Sequence, residues 1–429
     1  MSNPGILVGD LADIYGYLHI LKYTLDAVYL GTGPAGRIHR SMIIAIDGYE
    51  ANARDRVGIG RYAYEILGNM YELTRKSHEK NLASNDVMFR IYLPETPRED
   101  MPIETTWWRY RIMPVKRLWT IVGLPLALAI DQPQPDVIFS PTHYSPRFVR
   151  IPKVISIMDV SYLHFPHLFK TQDLAKLTSW TKDSVDRSTK ILTISQYSKN
   201  DIIQAYGIPA ERVVVTYPGL SGLALTNMAK NSITSSHLPK KYILTVGTLQ
   251  PRKNFGKLIE AFRILKKSSK TGEMPDLVIV GKKGWLYEEI LSAPKKFGVE
   301  ENVHFLEFVS DDELPGIYSK AECFVLPSLY EGFGLPVLEA MSYGVPVIVS
   351  NVSSLPEIAG EAAIYVDPNS VDSIKEGLTQ AIKQKGTKEE STRIKDGLSR
   401  VKLFSWEKAA KQTLDELRRV ANDAKGANA

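Results

Sequence analysis

The chain has 429 residues, of which 44% are hydrophobic and 24% charged, with a formal net charge of +5 and one cysteine. Ordinary apolar content excludes wholesale disorder and a polytopic membrane protein; a lone cysteine excludes a disulfide scaffold or a cysteine-rich metal site. So small a charge on so long a chain is too dilute to argue for nucleic acid, and at about 150 residues per domain the length predicts two or three domains.

Residues 1–41 precede the first regular pattern and are expected to form an extension of unassigned role, a helix from Asp10 to Tyr29 being one reading. Asp10 and Asp13 stand where a secretory leader would be basic. The most apolar stretches, Ile121–Ile130 and the one around Tyr15–Leu30, are too short to span a bilayer or are broken by His19, Lys22 and Asp26. A cytoplasmic protein is expected.

From Met42 onward, β-branched runs alternate with amphipathic ones. Met42–Asp47 predicts a buried strand and Gly60–Leu73 a helix; Arg90–Leu93, Val137–Phe139, Val154–Ile157, Ile191–Ile194 and Val213–Thr216 predict further strands, with a long helix over Thr171–Arg187. Tyr217-Pro218-Gly219 closes this half, and the polar stretch Gly222–Ser236 reads as a linker. A second block carries strands at Tyr242–Val246, Leu277–Val280, Val303–Leu306, Cys323–Leu326, Val345–Val349 and Ile364–Val366. Ser310-Asp311-Asp312-Glu313 has the form of a capping box, and Gly344 is placed to end the helix that begins near Pro336.

Continuous apolar strands alternating with helices predict a parallel sheet covered on both faces, here twice over. The expected α/β architecture is two tandem Rossmann-like, doubly wound domains facing across a cleft, over residues 42–225 and 226–404. A last helix within 405–429 would cap the molecule or cross back to the first domain. In such folds ligands bind at the carboxyl ends of the strands. Cys323, inside an apolar strand, is expected to be a packed core thiol.

Three motifs fall at those ends. In Ser328-Leu329-Tyr330-Glu331-Gly332-Phe333-Gly334-Leu335-Pro336-Val337-Leu338-Glu339, a glycine-rich loop precedes a helix that Pro336 opens, so Glu331 and Glu339 are placed to grip hydroxyls of one ligand. In Val246-Gly247-Thr248-Leu249-Gln250-Pro251-Arg252-Lys253, adjacent cations at a strand end suit a diphosphate. Gly58, Gly60 and Ala63 satisfy G-x-G-x-x-A, but some ten residues separate them from the strand, where a dinucleotide fold needs a tight turn; Gly58 and Gly60 read as a glycine loop over the cleft.

These motifs resemble the retaining glycosyltransferases of family 4, of GT-B fold, and most of all their mannosyltransferase-type members, from Met42 to the Trp406 helix. The most specific piece is the E-x7-E signature at Glu331 and Glu339. The resemblance implies that Glu331 lies near the transferred sugar and that Glu339 holds the ribose. It implies further that the amides of Gly332, Phe333, Gly334 and Leu335 meet sugar and phosphates, and that Arg252 and Lys253, beside Gly247, neutralise the diphosphate. Gly281, Phe308 and Val309 fall at the base pocket. Asp159 and His143 match residues near the reacting centre, with Met158 where members often carry histidine.

The implied reaction is transfer of a hexose, with mannose first and a UDP-hexose next, to a glycan or lipid-linked acceptor in cell-surface polysaccharide synthesis. The donor, GDP-mannose or a UDP-hexose, is then a substrate and no cofactor is expected. No D-x-D occurs in the chain, so the cations are expected to act without a metal. No carboxylate declares itself for double displacement, so front-face substitution is expected. A nucleotide-sugar epimerase of the same fold and a non-catalytic nucleotide-sugar binding protein are the rival readings.

One stretch is left over. Trp107, Trp108, Arg109, Arg111, Lys116, Arg117 and Trp119 form a basic–aromatic run with no acid until Asp131. It reads either as a docking patch for an anionic bilayer or as a surface strand and core helix with a basic face.

Overall fold

In a computed structural model the described residues are 41–79, 87–220, 238–268, 274–307 and 309–427. They form two parallel α/β sheets. The first contains β1 (Met42–Asp47), β2 (Val87–Leu93), β3 (Trp108–Ile112), β4 (Val137–Ser140), β5 (Lys153–Ser156), β6 (Lys190–Thr193) and β7 (Val213–Val215), in the order β3-β2-β1-β4-β5-β6-β7. The second contains β8 (Tyr242–Val246), β9 (Asp276–Val280), β10 (Val303–Leu306), β11 (Cys323–Leu326), β12 (Val347–Ser350) and β13 (Ala363–Val366), in the order β10-β9-β8-β11-β12-β13. In each sheet the order reverses direction once, between β1 and β4 and between β8 and β11. That switch is where an open α/β sheet leaves a crevice at its strand ends.

The strands are buried on both faces because helices cover both. Helix α1 (Ile59–Glu79) turns Tyr62, Ala63, Ile66, Leu67, Met70 and Tyr71 inward at three- and four-residue steps. In the second sheet Phe262, Leu258 and Ile259 of α6 (Phe255–Ser268) pack with Ile279, Val325 and Ile348, all fully buried. Each such side chain contributes about 1.5–3 kcal/mol by leaving water. Cys323 belongs to this core, and burial pushes its thiol up to about 12.

By compactness the chain divides into two units. One holds the described residues up to Ile157, Trp180–Leu192 and the residues from Ala410 onward; the other holds Met158–Ser179 and Thr193–Ala409. The intervening helices are α2 (Leu124–Ile130), α3 (Ser161–His164), α4 (Thr171–Arg187), α5 (Gln196–Tyr206), α7 (Glu288–Phe297), α8 (Leu314–Ser319), α9 (Leu335–Ser342), α10 (Leu355–Ala359), α11 (Val371–Lys383), α12 (Lys388–Val401) and α13 (Trp406–Ala427). Gly344, at φ 70, follows the end of α9 as expected. The Ser310 box is only half formed: Glu313 reaches back to the Ser310 amide at 3.1 Å, but the Ser310 hydroxyl donates to the same carboxylate at 2.8 Å and α8 begins after Glu313.

The basic–aromatic run departs from a bilayer patch. Trp107, Trp108 and Trp119 are buried. Strand alternation points Trp108 and Tyr110 inward and Arg109 outward along β3, the edge of the first sheet. Trp107 stacks on His78 with ring centroids 5.0 Å apart, and Trp119 opens one turn of π-helix that runs into α2. Arg109, Lys116 and Arg117 are exposed and Arg111 half-buried, with Lys116 paired to Glu95 and Arg111 to Asp131. Among the described residues no helix is long and apolar enough to cross a membrane.

Candidate active site

The glutamate loop leaves the end of β11 and enters α9, whose first turn holds Pro336. Gly334 sits at φ 104, and a Cβ there would lie 2.7 Å from Leu355 Cδ2, so only glycine makes this turn. The turn carries Glu331 into the second unit's interior, where its carboxylate is held on every side. Lys253 Nζ donates to Oε1 at 2.6 Å, Ser328 Oγ to Oε1 at 2.6 Å, and Arg252 Nη1 to Oε2 at 3.1 Å. The Glu331 amide donates to Ser353 Oγ at 3.0 Å, and Ser354 Oγ donates to the carbonyls of Glu331 and Phe333 at 2.9 and 3.1 Å.

Both cations come from the turn after β8, a single 3₁₀ turn over Pro251–Lys253 ended by Asn254 at φ 61. That turn is stapled to the glutamate loop. The Leu329 amide donates to the Arg252 carbonyl at 2.9 Å, and the Asn254 side-chain amide donates to the carbonyls of Pro327 at 3.0 Å and Pro368 at 2.7 Å. Burial alone would raise the Glu331 carboxyl, but Lys253, then Arg252, and the bonds from Lys253 and Ser328 hold it down at about 2. Burial opposes the charge on Arg252, yet Glu331 and Asp159 together raise it. Burial pulls Lys253 below the ordinary lysine value, with Glu331 opposing and Arg252 adding to the fall.

Arg252 and Lys253 are thus two cations fixed in a buried setting, where charge interactions are strongest, with Glu331 bonded to both and Asp159 acting on both from nearby. A donor is also spare: Arg252 Nε is buried with no hydrogen-bond partner among the described residues. Gly247, at the end of β8, leaves room for the Lys253 stem, since a Cβ there would lie 3.2 Å from Lys253 Cε. Gly281, at the end of β9, passes so close to Gly247 that a Cβ would meet its carbonyl oxygen at 2.0 Å. Asp159 joins the group: a Cβ on Gly332 would lie 3.0 Å from Asp159 Cβ, and the Asp159 carboxylate is fixed by the Ser161 amide at 2.9 Å.

Asp159, Gly247, Arg252, Lys253, Gly281, Glu331, Gly332, Phe333, Gly334 and Leu335 are thus assembled at the strand ends of one unit. Glu339 stands on α9, half-buried, and accepts the Tyr318 hydroxyl at 2.7 Å. Val309 is half-buried just after β10, and Phe308 lies outside the described residues. His143, buried in the loop after β4, belongs to the other unit, as do Gly58 and Gly60. Gly58 takes φ 53 just before α1 and Gly60 lies in that helix's first turn.

Three groups escaped the sequence reading. Tyr330 donates its hydroxyl to Asp201, which also binds His164 Nε2 at 2.7 Å, and the Tyr330 carbonyl accepts from Arg252. Glu357 of α10 accepts the Gln196 and Tyr197 amides at 2.8 and 2.9 Å and the Tyr217 hydroxyl at 2.7 Å. At the end of β1, burial pushes the Asp47 carboxyl up to about 6, although Trp119 Nε1 donates to it at 2.8 Å. Only the last had a signal, an acid closing an apolar strand.

Two parallel sheets of this order, with a buried cation pair and glutamate at the strand ends of the second, define a glycosyltransferase of GT-B fold. Structural comparison agrees: sucrose-phosphate synthase from Thermosynechococcus elongatus superposes with a TM-score of 0.69 at 17% identity, over 88% of this chain and 99% of that one. Anabaena HepE, solved in complex with UDP and glucose, gives 0.62 at 16%, over 88% and 99%. Residues 58–221 match Glycosyltransferase Family 4 and residues 230–397 match Glycosyl transferases group 1. The O-antigen chain mannosyltransferase B of Escherichia coli is 33% identical over 399 residues, 83% of this chain and 95% of that protein. The chain belongs to glycosyltransferase family 4 and is a hexosyltransferase of the mannosyltransferase-like kind.

Proposed function

We propose that the protein transfers mannose from a nucleotide diphosphate sugar, GDP-mannose first, to the growing glycan of a cell-surface polysaccharide, with retention and without a metal. The observation that carries this is the buried Arg252–Glu331–Lys253 cluster with its spare guanidinium donor. Fixed positive charge of this kind stabilises a departing diphosphate most where water is excluded. Likeness to an O-antigen chain mannosyltransferase supports the sugar and the product class.

In this reading Arg252 and Lys253 bind the diphosphate, Glu331 meets the sugar, Glu339 the ribose, and the amides from Gly332 to Leu335 the sugar and phosphates. Gly247, Gly281, Phe308 and Val309 border the nucleotide. Asp159 and His143 stand nearest the reacting carbon, and Gly58 and Gly60 line the acceptor path. The leaving phosphate takes the acceptor's proton on the front face of the sugar. Chemistry takes place on the cytoplasmic side, and Arg109, Lys116 and Arg117, not the tryptophans, face anionic lipid.

The test is a nucleotide-sugar panel with a mannose-terminated acceptor, with and without EDTA, and assignment of the product anomer. Transfer from GDP-mannose with retention and no EDTA sensitivity is expected. Inversion, or an adduct on Asp159 or Glu331, would overturn the front-face mechanism; a UDP-hexose preference would overturn the donor.

A further inference from the structure

Helix α5 holds the glutamate loop on both sides of Glu331. Buried Ser198 donates its hydroxyl to the Gly332 carbonyl at 3.2 Å. Three residues on, on the same face of the helix, buried Asp201 accepts the Tyr330 hydroxyl. Tyr330 and Gly332 are the two chain neighbours of Glu331.

The Tyr330–Asp201 pair is a demanding way to fasten a loop. A carboxylate taken from water into the protein interior costs free energy unless its oxygens are filled, and apolar packing would hold the ring without that cost. What a charged acceptor adds is direction, because its hydrogen bond to a phenol is short and strong. The other Asp201 oxygen is filled by His164 Nε2 at 2.7 Å. The His164 ring in turn stacks on Tyr330 with centroids 5.6 Å apart, and Tyr197 of α5 meets the same ring edge-on at 5.7 Å. Tyr330 is thus held at its hydroxyl and around its ring.

That restraint reaches Arg252 through the backbone. The Tyr330 carbonyl accepts from Arg252 Nη1, and so does the Glu331 carboxylate, at 3.1 Å. Both bonds leave from one nitrogen of the guanidinium, while Nε has no partner among the described residues. A planar fork pinned at one corner can swing about that corner, and the Tyr330 peptide decides where its open edge faces.

We propose that Asp201 is a positioning residue of the diphosphate site: by fixing the Tyr330 hydroxyl it sets the peptide that aims Arg252. This rests on the reading that Arg252 binds the donor's diphosphate.

The experiment titrates GDP, UDP and inorganic pyrophosphate calorimetrically into the full chain, as wild type, Y330F, D201A, D201N, R252M and Y330F/R252M. Loss of the hydroxyl in Y330F is expected to weaken GDP and pyrophosphate about five- to tenfold, the size of one hydrogen bond. D201A should match it, and D201N, whose amide oxygen still accepts the hydroxyl, should stay within about threefold of wild type. In the R252M background the added Y330F change should cost less than about twofold, since its effect passes through the guanidinium. A purely structural pair would cost the same in both backgrounds, and that result overturns the proposal. So does a GDP affinity within about twofold of wild type in Y330F or D201A. If the wild type binds neither GDP nor UDP, the nucleotide reading fails separately. The pyrophosphate titrations then decide: no binding by the wild type, or an equal loss in both backgrounds, overturns the positioning role as well.

Discussion

At the residue scale, Glu331 is the keystone of two positive charges. Removing one partner from a buried ion cluster costs about 3–5 kcal/mol, because the remaining charges lose their compensation. E331Q is therefore expected to lower Tm by on the order of 10 °C in a thermal melt, with Arg252 and Lys253 left facing each other. The cluster also sets an acid limit. Glu331's folded value, about 2, lies below the unfolded one, so its ionisation stabilises the fold above about pH 4.3. That contribution, on the order of 3 kcal/mol, is lost as pH falls from about 4.3 toward 2. Denaturant titrations across this window should show a steep slope in wild type and a shallower one in E331Q. Asp47 has the opposite sign. Its folded value is raised to about 6, so wild-type stability should decline as pH rises from about 4 to 6. D47N should flatten that decline, with Trp119 fluorescence as a local probe of the same titration.

At the element scale, the ends of β8 and β9 approach more closely than side chains allow, at Gly247 and Gly281. G281A should be severe: its methyl would stand 2.0 Å from the Gly247 carbonyl oxygen, a backbone atom that cannot step aside. A loss of 3 kcal/mol or more is expected, on the order of core overpacking at its worst. Denaturant unfolding together with GDP titration would check it, both stability and affinity falling. Most of this scale was legible beforehand. Continuous apolar runs marked the strands to within a few residues, and the glycines and Pro336 marked the turn that presents Glu331. What stayed hidden has a common physical cause. Trp107–Trp119 alternates aromatic and basic residues, a pattern that suits a bilayer face and an edge strand equally until burial is known. Asp201 reads as one more polar helix residue, because its partner Tyr330 lies 129 positions away. Local periodicity cannot report such pairings.

At the scale of the whole molecule, the two sheets are not the same partition as the two compact units. Residues 158–179 and 193–220 lie in the first half of the sequence yet cluster with the second. The cations and Glu331 therefore share a unit with Asp159, while His143 lies in the other. Substitutions should divide accordingly. K253M is expected to reduce the transfer rate about 10²- to 10³-fold, the usual loss for one fixed electrostatic contact to developing charge. Its acceptor KM should be unchanged, as steady-state kinetics with each substrate varied in turn would show.

The Glu357 contacts bear on how such a chain can be divided. At the start of α5, Ser195 Oγ accepts the Ser198 amide at 3.0 Å, while Glu357 takes the two amides before it. The first turn of a helix from the earlier half is thus completed by a carboxylate supplied some 160 positions later. A fragment ending near residue 220 would carry α5 with two unfilled amides and without the negative charge that offsets its dipole. Amide exchange at Gln196 and Tyr197 should accelerate in that fragment, and in E357Q of the full chain, ahead of the rest of α5. Cutting this protein between residues 220 and 238 would separate α5 from the acid that completes its first turn.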